Sequence, residues 1–386
     1  MVTTQLSCLL WCVTYVRTSP LLETEYFYRV IIPSKVHKIG TVICLYRNTM
    51  SDSTPRISIV IPTYNRPLEV CKAVHAIQQQ NIDAWELVIV NNGCTDNTQD
   101  VLNELAAGDV RIRVETISRT RAAAARNHGI RSTNPASEFV MLHDDDDWLF
   151  PGALERLLRK ADERPDAVLV YGMPLNCDDS GASDETLETA FAARRLAVSE
   201  TGKVHWLAPD MDDSFGNVAI WSPIATFAQV LMRRTALAKN GLLIDNYGIA
   251  DDWDFWIRMS LLGPFARVNE LVLYRRFIAS NTSNNHALMA PSVLSIRHSL
   301  KFGRDLTPAQ RRVAVIANAV SPYLFFLWAQ RAFSRKDVRE GMRLLIVCCK
   351  EAIKAQLSWR RLDPERTFVE RFATTVDASE TGFAIR

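Results

Sequence analysis

From residue 56 onward, short apolar runs alternate with segments whose apolar positions return every three or four residues. Residues 57–61 are a run closed by Pro62 and read as a buried strand. Pro67 opens a helix in which Val70, Val74 and Ile77 keep helical spacing. Residues 86–90 form the next strand, and Asp96 caps a helix carrying Val101, Leu102 and Leu105. A third strand at 111–117 precedes an alanine-rich helix at 122–130, and a fourth strand occupies 139–143. Pro151 starts a helix with Leu154, Leu157 and Leu158, followed by a fifth strand at 167–171. This alternation predicts an α/β fold with a mostly parallel sheet covered on both faces. Beyond residue 290 the pattern is helical throughout, with helices expected at 308–319, 323–333 and 337–357. They read as a helical pair or small bundle, with Val338, Met342, Leu345 and Cys349 forming its core side.

The ends and the middle are less regular. Residues 6–16 are apolar but too short to span a bilayer, lack a preceding basic residue and are not followed by a small-residue cleavage site. Regular patterning starts abruptly after Met50, so residues 1–55 are expected to be a leader outside the fold, with Met50 the natural start. The expected division is therefore a leader at 1–55, an α/β domain at 56–290 and a helical region at 291–386. Residues 178–185 read as a mobile acidic loop, and residues 221–227 as a candidate cleft lining. Trp206, Trp221 and Trp253 are each either core aromatics or exposed stacking platforms for a ligand.

Three polar clusters follow three of the strands: Thr63-Tyr64-Asn65-Arg66, Asn91 through Asp96, and the four aspartates Asp144, Asp145, Asp146 and Asp147. In a parallel sheet all three fall on one edge, where ligands bind. Each could be ordinary turn chemistry; their repetition at successive strand ends is harder to explain that way. On an extended segment Asp144 and Asp146 would point the same way, and two carboxylates about 5 Å apart repel by roughly 3 kcal/mol at an effective dielectric of about 20. A divalent cation such as Mg²⁺ or Mn²⁺ would turn that repulsion into attraction. The competing reading is a solvated acidic loop. Arg119, Arg121 and Arg126 could supply charge toward a phosphate or form an exposed basic helix face, and His143 is expected to be a wall residue.

Composition narrows the classes. A net charge of +2 gives no general affinity for nucleic acid. Residues 291–386 hold 17 Lys plus Arg against 9 Asp plus Glu. This basic region either contacts anionic lipid peripherally or forms the solvated face of the bundle. The eight cysteines include no Cys-x-x-Cys pair and read as reduced and mostly buried, which suggests a cytoplasmic setting, at most peripheral to the inner face of the membrane. The sequon Asn281-Thr282-Ser283 is read as incidental. No dinucleotide fingerprint, phosphate loop or nucleophile elbow is present.

Taken in order, residues 59–66, residues 90–98, residues 125–130, the aspartate tetrad with Pro151, and the segment 251–258 resemble the motifs of family 2 glycosyltransferases of GT-A fold. The resemblance covers roughly residues 56–280. It implies transfer of a sugar, with inversion, from a nucleotide-diphosphate donor to the hydroxyl of a saccharide or lipid-linked glycan. By resemblance, Pro62, Thr63, Tyr64, Asn65, Arg66 and Asn92 would hold the nucleotide, Arg126 and Asp144 would face the donor, and Asp145 would lie by the ribose. Asp146, with Asp144, would bind Mg²⁺ or Mn²⁺, and Asp252 would be the catalytic base. Asn91 stands where the family commonly has Asp, which leaves the nucleotide open, and Asp251 stands where it has Glu, a mild change. Two other classes fit the same residues: an inactive sugar-nucleotide-binding module and a metal-dependent nucleotidyltransferase.

Overall fold

The computed structural model describes residues 12–16, 27–31, 54–178, 195–208, 210–244, 250–277, 286–302, 305–334 and 336–362. Most of the expected leader, the acidic loop at 179–185, the sequon at 281–283 and the chain after 362 lie outside the described residues. Within the leader, β1 (Cys12–Val16) and β2 (Phe27–Ile31) pair antiparallel as a sheet of their own.

The main sheet has eight strands: β3 (Ile57–Thr63), β4 (Trp85–Asn92), β5 (Ile112–Ile117), β6 (Phe139–Leu142), β7 (Trp148–Leu149), β8 (Leu169–Cys177), β11 (Val230–Arg233) and β12 (Phe265–Arg276). Their order is β5-β4-β3-β6-β11-β8-β12-β7. The β3–β4, β4–β5, β3–β6 and β8–β12 pairs are parallel, while β11 and β7 run against their neighbours. A separate hairpin joins β9 (Arg195–Val198) to β10 (Val204–Leu207). The expectation of a mostly parallel sheet holds. The antiparallel β11 is an addition, lying in a stretch without a clear period.

Alternation along β3 sorts the core. Ile57, Ile59 and Ile61 join one cluster with the helices α1 (Pro67–Gln78), α2 (Thr98–Gly108) and α4 (Ala153–Glu163). Val60 faces the other side, with α3 (Ala122–Ser132). That second cluster continues through α5 (Phe215–Val218), α6 (Arg234–Asn240) and α7 (Asp251–Ser260) into the C-terminal helices α8 (His286–Phe302), α9 (Pro308–Ser334) and α10 (Val338–Leu362). Val293, Ile296, Phe325, Trp328 and Leu344 are buried there, so the C-terminal helices complete one face of the sheet's core.

Two C-terminal expectations change. The helices expected at 308–319 and 323–333 are one helix, α9, running through Pro322. A proline in a helix interior removes one hydrogen bond; burial of Phe325, Trp328 and Ala329 just beyond it holds the helix continuous. The expected core side of α10 is also wrong. Val338 and Met342 are 62% and 48% exposed, Cys349 is exposed, and Leu345 alone of the four is half-buried. Helical spacing marked one apolar stripe on this helix, but the side that packs is the one carrying Leu344. The cysteine expectation is corrected in part: Cys71, Cys94, Cys177, Cys348 and Cys349 are free thiols, but of these only Cys177 is fully buried.

Candidate active site

Because six strands of the sheet run the same way, the C-terminal ends of β3, β4, β6 and β12 share one edge. The antiparallel β11 begins at that same edge, which brings Thr226, four residues ahead of it, among the strand-end clusters. Hydrogen bonds across the edge join residues up to 129 positions apart in sequence.

Beyond Pro62 the chain turns at Asn65, whose φ of 52° lies in the left-handed region an asparagine tolerates. Asn65 and Thr95 exchange hydrogen bonds: Thr95 N–H donates to Asn65 Oδ1 at 2.8 Å and Asn65 Nδ2 to Thr95 Oγ1 at 3.1 Å. Cys94 Sγ accepts the Asn65 N–H at 3.3 Å. The first two strand-end turns are thereby tied together. Tyr64 is exposed at the rim, with the Arg119 guanidinium 3.7 Å above its ring. Asn92 is buried and spent on the backbone: its Nδ2 donates to Thr120 O at 3.0 Å, and Thr120 N–H donates to its Oδ1 at 2.9 Å. Its amide therefore shapes the wall at residue 120 in this structure.

The four aspartates do not alternate as on a strand. Asp145 and Asp146 form a turn closed by Asp147 N–H donating to Asp144 O at 3.3 Å. The turn pairs them differently from expectation. Asp145 and Asp146 share Arg66, at 2.7 and 2.9 Å, and Thr63 donates to Asp145 Oδ2 at 2.8 Å. Asp144 instead faces Arg126, with which it forms an ion pair, and receives the Thr226 hydroxyl at 2.7 Å. Asp147 Oδ2 lies 3.2 Å from that hydroxyl, and its Oδ1 accepts the Arg276 N–H at 3.1 Å. His143 is fully buried, its Nδ1 2.8 Å from Asp144 O, and burial pushes its pKa down to about 4, so it is a neutral wall residue.

Proton affinities differ accordingly. Burial would raise Asp144, but the charge of Arg126 and the Thr226 hydrogen bond outweigh it and hold Asp144 below the ordinary carboxylate value. Burial raises Asp145 to about 6 against the pull of Arg66. Asp146 is raised by burial and by Asp144, again against Arg66. Asp147 is raised well above the ordinary value by burial, then by Asp144 and Asp146. Asp144, held ionised by Arg126 and Thr226, and Asp146, whose proton affinity burial and Asp144 raise, are a fitting donor pair for a hard divalent cation. Among the described residues no three His, Cys, Asp or Glu side chains converge on a metal position. Phosphate and water oxygens would therefore complete the shell, as is usual for Mg²⁺.

Asp252 opens α7 and accepts the Trp253 N–H at 2.8 Å. It is half-buried, and burial raises its pKa; the charges of Arg126 and Arg275 oppose the rise, and Asp144 adds to it. Those couplings bring Asp252 to the tetrad across more than 100 residues of sequence. The rest of the 251–258 segment is structural. Arg258 Nε donates to the buried Asp254 at 2.9 Å and its other nitrogens to Asn240 O and Leu242 O. Trp253 is buried and donates to Val218 O, whereas Trp221 is 41% exposed and packs on Trp253 and Trp328. Of the three tryptophans, Trp221 alone is exposed enough to meet a ligand; Trp206 is half-buried.

The sequence reading missed Thr226 as a partner of Asp144, Phe227 beneath Arg126 at 5.1 Å, and the Arg275–Arg276 pair at the end of β12. The adjacent arginines at a strand end were a usable signal; nothing in the sequence paired Thr226 with an aspartate 82 residues away.

Residues 58–241 match the family described as Glycosyl transferase family 2. The chain is 32% identical over 109 residues to the GalNAc(5)-diNAcBac-PP-undecaprenol beta-1,3-glucosyltransferase of Campylobacter jejuni, covering 28% of this chain and 35% of that protein. The chain spans less than half the length of curated relatives such as this one. Among solved structures, S. aureus TarS 1-349 in complex with UDP-GlcNAc superposes with a TM-score of 0.56 at 15% identity, covering 86% of this chain and 93% of that one. The mannosyltransferase PcManGT from Pyrobaculum calidifontis, in complex with GDP-Man and Mn²⁺, gives 0.51 at 14%, covering 82% and 89%.

Proposed function

On the premise that this chain carries a family 2 glycosyltransferase domain of GT-A fold, we propose that it moves a sugar from a nucleoside-diphosphate donor to an acceptor hydroxyl with inversion. The observation that carries this reading is that Asp252 feels the charges of Arg126, Arg275 and Asp144, while Arg126 pairs with Asp144 at the strand-end edge. Residues 1–55 are assigned outside the catalytic fold and 291–386 to its helical support.

The donor's nucleotide is assigned to the rim formed by Pro62, Thr63, Tyr64, Asn65, Arg66 and the wall behind Asn92. Tyr64 offers an exposed ring, and Asp145 is held in place by Thr63 and Arg66. Asp144 and Asp146 would hold Mg²⁺ or Mn²⁺, which when bound offsets the negative charge on the departing diphosphate. The neighbouring structure with Mn²⁺ supports that choice. Arg126 holds Asp144 ionised, and Arg275 adds positive charge on the Asp252 side.

Asp252 takes the proton from the acceptor hydroxyl as its oxygen attacks the anomeric carbon, and the bond to the diphosphate breaks on the opposite face. Burial raises its affinity for that proton. Structures with UDP- and GDP-sugars and a relative whose name includes a lipid pyrophosphate support a nucleotide-sugar donor and a saccharide or lipid-linked glycan acceptor.

The test is product analysis with a panel of nucleotide sugars and glycan acceptors. Release of nucleoside diphosphate with glycan extension is expected, and Asp252→Asn should lower transfer at least about a hundredfold while donor binding persists. Because the Asp252 side chain accepts a backbone N–H, which Asn also does, the variant should fold. Pyrophosphate release would instead show a nucleotidyltransferase. Donor binding without turnover would show a binding module, and near-normal transfer by the variant would remove Asp252 from the mechanism.

A further inference from the structure

Helix α10 carries an apolar stripe that nothing among the described residues covers. Val338, Met342, Ile346, Cys349 and Ile353 recur at spacings of four, four, three and four, which places them along one line of the helix. Val338 is 62% exposed, Met342 48%, Ile346 51% and Ile353 63%, and Cys349 is exposed as well. The opposite side packs inward through Leu344, and Gly341 sits at the edge of the stripe, where an added Cβ would meet the Phe333 ring 2.5 Å away. Phe333 thus borders the stripe, and Phe326, one heptad earlier on the same face of α9, is also exposed. An isolated exposed leucine or valine needs no explanation, but a contiguous row over four turns does.

The charges beside the stripe decide what fits it. Arg339, Lys350 and Arg343 lie next to it around the helix, with Lys354 just beyond. All four are exposed, and the two acids of this stretch, Glu340 and Glu351, are not fully exposed. Lys354 is held by Glu351 at 2.7 Å, which leaves Arg339, Arg343 and Lys350 as the row's forward-facing charge. Two copies packed stripe to stripe would set these basic rows against one another. An anionic surface would neutralise them while the stripe enters its apolar layer. No described helix is long and apolar enough to cross a membrane. The stripe from Val338 to Ile353 is about 22 Å long, the scale of a helix lying in an interface with one face immersed.

We propose that the α9–α10 hairpin is a membrane-docking surface that lies on an anionic lipid bilayer, immersing Val338, Met342, Ile346 and Ile353 while Arg339, Arg343 and Lys350 contact the headgroups. The inference is independent of the sugar-transfer reading, since lipid binding is measured without substrate. A surface-bound enzyme would suit a lipid-linked acceptor.

The experiment is co-sedimentation of the full chain with phosphatidylcholine vesicles, with and without phosphatidylglycerol. Binding is expected only when phosphatidylglycerol is present and should weaken as salt rises. The double variant Ile346→Glu/Ile353→Glu alters two exposed positions and should keep the melting temperature. It should lower vesicle binding by at least about tenfold. Arg343→Glu/Lys350→Glu should lower it comparably, and more steeply at low salt. Absence of binding to the anionic vesicles, equal binding to phosphatidylcholine alone, or undiminished binding by the folded Ile346→Glu/Ile353→Glu variant would overturn the proposal. So would sedimentation equilibrium showing a dimer that this variant dissociates, because the stripe would then belong to a second copy.

Discussion

Four adjacent aspartates have four different electrostatic situations because a turn, not a strand, carries them. Arg126 keeps Asp144 charged, whereas burial raises Asp145, Asp146 and Asp147. Asp252 is the residue whose titration should be visible in turnover. Burial raises its pKa above 3.8, and a base must be unprotonated to act. The acid limb of kcat/KM should therefore lie above the ordinary carboxylate value, with activity falling as pH falls through it. The sign for stability is opposite. A raised folded-state pKa contributes stability that is fully present below the unfolded value and lost as pH rises through the folded one. Acid inactivation on this limb is therefore not unfolding caused by Asp252. A pH–rate profile run beside circular dichroism checks this: activity should fall while the fold persists. An acid limb at or below 3.8, or one coincident with unfolding, would refute the assignment.

At the scale of elements, packing explains residues that the motif alone left unexplained. Gly129 lies on α3 where that helix crosses β3 and β4, and an added Cβ would meet Val60 Cγ1 at 2.2 Å and Val90 Cγ2 at 3.0 Å. Replacing a helical glycine with alanine ordinarily gains about 1 kcal/mol of propensity. Here the clash with two buried valines should win, so Gly129→Ala is expected to lower stability by about 1–3 kcal/mol in urea unfolding. A neutral or stabilising result would show that α3 can move off the sheet. Strands β3, β4 and β6 and helices α1 to α4 were legible because each has a single apolar face or run that matches its burial. The antiparallel β11 was not, since its four residues follow a segment without a period and its direction depends on partners far away in the chain. The exposed side of α10 was misread because spacing reports that a stripe exists and not which side of the helix meets the core. Asp252 was singled out through its motif; its electrostatic reach to Asp144 emerges only from the fold.

For the whole molecule, the sheet divides the work between edges and faces. One face is closed by α1, α2 and α4, the other by α3, α7 and the C-terminal helices, and the charged groups gather where six strands end. That layout sets how metal and nucleotide should bind. Asp144 is already engaged by Arg126 and Thr226, and Asp146 by Arg66, so two carboxylates share their charge with two arginines. A cation arriving alone would meet carboxylates already largely neutralised. A cation arriving with a diphosphate brings its own oxygen ligands and gives the arginines a second anion to contact. Binding of the two should therefore be mutually reinforcing, and each should raise the other's affinity by the same factor. A ligand at about 100 times its dissociation constant stabilises the folded state by about 2.7 kcal/mol, a readable shift in melting temperature. A thermal-shift matrix of Mn²⁺ against UDP and GDP, with EDTA as the metal-free arm, should show a small shift for Mn²⁺ alone and a shift for the pair that exceeds the sum of the two. Additive shifts would mean that metal and nucleotide bind separately. Equal shifts by nucleotide in Mn²⁺ and in EDTA, together with full transfer in EDTA, would remove the metal from Asp144 and Asp146.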